Sequence, residues 1–135
     1  MPSPGGRPVG RLDALPPLPG LAVRALRRWC DEGPTALARD LAGPEAADAF
    51  DALCRHCLAA CRRPLMRHGA GCPCLGADEA VFARLVELAA EGAREEALWI
   101  ACALVRPEAA LSLLALAEQA GLALARALVP PARLH

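Results

Sequence analysis

The sequence contains no lysine, no asparagine and no tyrosine. Without lysine there is no phosphate-cradling P-loop lysine, no Schiff-base former and no lysine general base. Without asparagine, and with Gln119 as the single glutamine, side chains that read bases bidentately are nearly absent. The net charge is zero, so nucleic acid is not an expected partner. Aliphatic hydroxyls are confined to Ser3, Thr35 and Ser112. Ser3 lies in a Pro/Gly-rich stretch and Ser112 in an apolar one, so a serine-nucleophile triad is hard to assemble. Isoleucine occurs once, as Ile100, and only Trp29, Phe50, Phe82 and Trp99 are aromatic. The residues that strands favour are therefore scarce.

The abundant residues are equally one-sided. Alanine supplies 31 positions and leucine 23 of 135, and every basic residue is arginine. That composition favours helices, and its arginine-only character points to a GC-rich, bacterial genome. The length suits a single domain. The expected fold class is all-α, a compact bundle of five to six helices.

The first twenty residues hold Pro2, Pro4, Pro8, Pro16, Pro17 and Pro19 and no continuous apolar stretch, so no secretory leader is expected. The apolar runs 97–105 and 109–117 are each shorter than a bilayer span. These features predict a cytoplasmic protein with no membrane partner. Seven cysteines in a reducing compartment then read as thiols or metal ligands, not as a disulfide framework.

Residues 1–17 are expected to form a disordered or extended Pro/Gly-rich tail, with a PxxP spacing at Pro16-Pro17-Leu18-Pro19. Residues 18–130 form the single helical domain. Helices are predicted over 18–31, 34–41 and 45–62, with Gly33-Pro34 and Gly43-Pro44 separating them. A Cys/Gly-rich connector, 63–77, joins the third helix to the fourth. Asp78 is expected to cap a helix over 79–90, and two further helices follow over 93–105 and 107–128.

Five cysteines fall within this middle region, as Cys54-x2-Cys57-x3-Cys61-x10-Cys72-x-Cys74. On a helix Cys54, Cys57 and Cys61 lie within about 60° of one another. That stripe is either a buried apolar face, since free cysteine behaves as a small hydrophobe, or one side of a metal site. Cys54 and Cys61 are two turns apart, too far to share one ion easily. The connector His68-Gly69-Ala70-Gly71-Cys72-Pro73-Cys74 has no apolar periodicity and glycines that allow tight folding. The most economical ligand set is Cys57, Cys61, Cys72 and Cys74, with Cys54 or His68 as further candidates, and the expected cofactor is zinc or an Fe–S cluster. The spacing matches neither the paired knuckles of zinc ribbons nor the ferredoxin run. His56 points away from the stripe, Cys102 reads as core, and Cys30 fits either reading.

Arg24, Arg27 and Arg28 form one basic patch and Arg55, Arg62, Arg63 and Arg67 another. Both read best as solvated faces compensated by nearby acids such as Asp48, Asp51 and Asp78. Asp78 and Glu79 are accounted for as acids at a helix N-terminus. Residues 93–128 carry more apolar surface than one small core requires, which suggests a protein partner or a homodimer. The leading functional expectation is a helical regulatory or interaction module holding a metal through its cysteines. The alternative is a metal-free helical adaptor or oligomerising protein with core cysteines. A third reading is an enzyme, or redox pair, built on a loop thiolate beside His68.

Overall fold

A computed structural model of the chain describes residues 4–41 and 43–129. Among them are six α-helices: α1 (Pro17–Glu32), α2 (Pro34–Asp40), α3 (Pro44–Ala60), α4 (Ala77–Glu91), α5 (Arg94–Leu104) and α6 (Ala110–Leu128). The all-α expectation holds, and proline at the first turn opens α2 and α3 as the sequence suggests; it also opens α1, at Pro17, which the sequence reading leaves in the tail. Gly33 and Gly43 precede α2 and α3 with positive φ, a conformation that side chains disfavour.

α6 packs against α3, α4, α5 and α1. It touches α4 closely because Gly121 lacks a side chain. A Cβ there would lie 2.9 Å from the Val86 carbonyl oxygen and 3.1 Å from the Ala90 Cβ. Phe50 of α3 meets Phe82 of α4 edge to face at 5.9 Å, and both are fully buried. The rest of the core is mostly Leu and Ala. The stretch Pro107–Leu128, which includes a short 3-10 turn before α6, is long and apolar enough to cross a bilayer by length and composition alone.

The N-terminal segment differs most from expectation. The sequence predicts a disordered or extended tail over residues 1–17; residues 1–3, like residue 130 of the expected helical domain, lie outside the described residues. The remainder is ordered structure. A 3-10 turn at Pro4–Gly6 leads into β1 (Pro8–Arg11), which pairs antiparallel with β2 (Cys74–Gly76) inside the cysteine connector. Arg11 faces Cys74, Gly10 faces Leu75 and Pro8 faces Gly76, with an irregularity between Pro8 and Gly10. Two further backbone bonds fasten the ribbon, Leu12 N–H to the Pro73 oxygen and Ala77 N–H to the Arg7 oxygen, each 2.9 Å. Leu12, Val23, Leu75 and Ala83 form a small apolar cluster that seats the ribbon on α1 and α4. Burying Leu12 and Leu75 supplies the driving force that the proline-rich composition conceals.

Candidate functional site

The connector is organised from beneath by a buried ion pair. Arg27 of α1 and Glu79 of α4 are about 1% and 0% exposed. Arg27 Nε and Nη2 donate to the two Glu79 carboxylate oxygens at 2.6 and 2.8 Å. The same guanidinium also donates to three connector carbonyls: Nη1 to Gly69 (3.2 Å) and Cys72 (2.7 Å), Nη2 to Cys74 (2.6 Å). Glu79 additionally accepts the N–H of His68 at 3.2 Å and that of Gly76 at 2.9 Å. Burial by itself would raise the Glu79 pKa, but Arg27 and the two N–H donors outweigh it and hold the carboxyl below its ordinary range. Arginine suits this task because its planar fork serves a carboxylate and several carbonyls at once.

Two expectations are corrected here. Arg27 belongs to no surface patch. It lies on the apolar side of α1 with Gly20 and Val23, a spacing visible in the sequence but obscured by the neighbouring Arg24 and Arg28. Asp78 is not the cap of α4. Gly76 occupies that position, and Glu79, three residues on, reaches back to its N–H. Asp78 instead ties down the connector, accepting Arg63 Nη1 and Nη2 at 3.0 and 2.8 Å and the Met66 N–H at 2.8 Å.

On this platform His68 and Cys72 meet. Cys72 Sγ is 3.4 Å from His68 Nδ1, and His68 Nε2 is 2.9 Å from the Gly6 carbonyl oxygen. A carbonyl only accepts, so Nε2 carries hydrogen and Nδ1 of the neutral ring presents its lone pair to the thiol. Proton transfer along this contact would give a thiolate facing an imidazolium. His68 is held above its ordinary pKa, first by the Gly6 carbonyl and next by the Cys72 sulfur. Cys72 is held below the ordinary thiol range, first by the Cys74 backbone N–H and next by His68. Gly76 makes room for the ring: a Cβ there would lie 2.9 Å from His68 Cδ2. The arrangement is nucleophile, base and a third group that orients the base. Cys72 and Cys74 are both partly exposed.

The other cysteines occupy different surroundings. Cys54 and Cys57 are fully buried in the main core, and burial drives the Cys54 thiol far above its ordinary pKa. Cys57 and Cys61 lie one helical turn apart; the neighbouring thiol together with burial pushes Cys57 far up, while Cys61 is lowered by the Cys57 thiol beside it. Cys30 and Cys102 are half-buried against the same core, and burial raises the Cys30 pKa. Cys57 with Cys61, and His68 with Cys72, are thus brought together as two separate pairs. Among the described residues no three Cys, His, Asp or Glu side chains converge as ligands for one ion, so the expected quartet Cys57, Cys61, Cys72 and Cys74 is not assembled. The physical reason is local: Cys57 sits at 0% exposure in the core, while the β1–β2 pairing and Arg27 fix the backbone of Cys72 and Cys74 elsewhere. His56 bonds the Ala109 carbonyl at 3.1 Å, away from both groups.

The surface arginines are largely matched by acids or carbonyls. Arg28 pairs with Glu32 and Asp40, Arg55 with Asp51, Arg67 with Asp31, and Arg62 donates to the Cys102 carbonyl. The sequence matches no family model, and no curated protein or solved structure is found to be similar to it.

Proposed function

We propose that the protein is a thiol-reactive regulatory or interaction module whose working group is Cys72, with His68 as its proton partner and Cys74 as a second thiol beside it. The observation that carries this reading is the line Cys72 Sγ, His68 Nδ1, His68 Nε2, Gly6 oxygen, with spans of 3.4 and 2.9 Å at its ends. It supports the reading because a stabilised, accessible thiolate is the reactive form of cysteine, whereas buried thiols are inert.

The chemistry that suits such a group is exchange with a low-molecular-weight disulfide. The Cys72 thiolate attacks one sulfur of R–S–S–R, a Cys72–S–R bond forms as the original S–S bond breaks, and R–S⁻ departs with the proton that His68 holds. The exposed, Arg27-anchored connector then carries a new substituent on its surface, and through it a changed affinity for a partner.

The test is to incubate the folded protein with oxidised glutathione at neutral pH and map the adduct by peptide mass spectrometry. The reading expects Cys72 to be the first residue modified in this connector, with His68→Ala slowing that modification about tenfold or more. Modification of Cys54 or Cys57 ahead of Cys72, or no effect of His68→Ala, contradicts it. Metal analysis of the same sample decides the rival use of these residues. Stoichiometric zinc or iron that shields Cys72 from glutathione favours the metal-holding reading of the cluster.

A further inference from the structure

A second sulfur centre lies outside the connector, where α3 ends. Cys61 follows Ala60, the last residue of α3, and turns out of the helix in extended conformation. Its segment is zipped to the end of α5: Arg62 N–H donates to the Leu104 oxygen and Arg106 N–H to the Ala60 oxygen, both 3.0 Å, and Cys61 bridges to Val105. This fixed junction leaves a cleft of about 420 Å³ lined by Cys61, Arg62, Arg63, Asp78, Leu65, Val81 and Leu104 among others. That volume falls in the range of small-molecule sites.

The walls have a definite chemistry. Leu65, Val81 and Leu104 supply apolar surface, and Arg62, Arg63 and the Asp78 carboxylate that neutralises Arg63 supply the charged part of the lining. Arg62 is tethered through Nε to the Cys102 carbonyl at 2.7 Å, which leaves the terminal nitrogens of its fork for a ligand. Arg63 is fixed in orientation by both oxygens of Asp78. Cys61 is half-buried, and the Cys57 thiol beside it, with Arg63 and Arg106, favours its thiolate against burial and Asp78.

We propose that this cleft is a covalent capture site in which Cys61 forms a mixed disulfide with a small carboxylate-bearing disulfide, the terminal nitrogens of Arg62 receiving the carboxylate and the apolar wall receiving the rest. The exchange is balanced: Cys61 S⁻ displaces R–S⁻ from R–S–S–R, so that Cys61 is oxidised to the mixed disulfide and one half of the reagent is reduced to a thiolate. It needs no other reactant. The site is separate from the Cys72 centre.

The experiment uses the Cys72→Ser variant of the full chain, so that its outcome does not depend on the Cys72 reading. The probes are the anionic aromatic disulfide 5,5′-dithiobis(2-nitrobenzoate) and the cationic disulfide cystamine. Each rate at Cys61, mapped by peptide mass spectrometry, is normalised to the rate with the denatured chain. The proposal expects the anionic reagent to be favoured about tenfold or more at low ionic strength, with the preference shrinking as salt is raised. It also expects Arg62→Ala to reduce the preference; the salt series stands on the native arginines should that variant not fold. Equal normalised rates, a cationic preference, or no labelling of Cys61 in the folded chain each overturn the proposal.

Discussion

Replacing Arg27 with leucine removes the cation that holds the connector to the bundle. The substitution leaves the Glu79 carboxylate at 0% exposure with only the His68 and Gly76 N–H groups as partners. It also strips donors from the Gly69, Cys72 and Cys74 carbonyls. Breaking a buried ion pair on one side costs about 3–5 kcal/mol, because the remaining charge stays uncompensated. The three carbonyls add less, since the connector is partly exposed and water can reach it. Against a total stability of about 10 kcal/mol for a domain of this size, the loss is a large fraction. With a urea dependence of about 2 kcal/mol/M, the unfolding midpoint falls by roughly 2 M. The double variant Arg27→Leu/Glu79→Leu removes both charges and recovers most of that loss, so a double-mutant cycle reads the coupling directly. Amide exchange over residues 69–76 speeds up in the single variant. An unfolding free energy for Arg27→Leu within about 0.5 kcal/mol of the parent, or a double variant no more stable than the single, refutes the account of this pair.

Acid unfolding checks the same pair from the proton side. Glu79 has a lowered pKa in the fold, so the stability it contributes is present above the unfolded carboxyl value, about 4.3, and is lost as pH falls through the folded value. The double variant therefore loses less stability than the parent between neutral and acidic pH. Gly121→Val forces α4 and α6 apart at a 2.9 Å contact and costs about 1–3 kcal/mol by thermal unfolding. Gly10→Ala, with nothing within 4 Å, shifts stability by no more than about 0.5 kcal/mol. Cys54→Ser places a hydroxyl in the core and costs about 1–3 kcal/mol, measured by denaturant unfolding. The same change at Cys72 leaves unfolding nearly unaltered.

The helical framework was legible because its signals are local. The Gly-Pro pairs before α2 and α3, Gly92 after α4 and the alanine–leucine patterning specify helices with no knowledge of the fold. The candidate site was legible only in its ingredients. His68 and Cys72 stand four apart in a connector whose composition marks it as unusual. The partner that orients His68 is the carbonyl of Gly6, a backbone atom 62 residues away in a segment that composition alone marks as a tail. No periodicity announces a main-chain acceptor. Arg27 and Glu79 are likewise 52 residues apart, and each has an adequate surface explanation when read alone. The cysteine stripe of α3 was identified as one face, but spacing alone could not say that the core covers Cys54 and Cys57 while Cys61 turns outward into a cleft.

The pairing of Cys72 with His68 is tested most directly by the pH dependence of iodoacetamide alkylation, resolved residue by residue with mass spectrometry. The account predicts a Cys72 titration midpoint below the ordinary thiol range, an upward shift of that midpoint in His68→Ala and in Gly76→Ala, which crowds the ring, and silence at Cys54 and Cys57 across the range. A Cys72 midpoint equal to that of the denatured chain, or one that His68→Ala leaves in place, contradicts it.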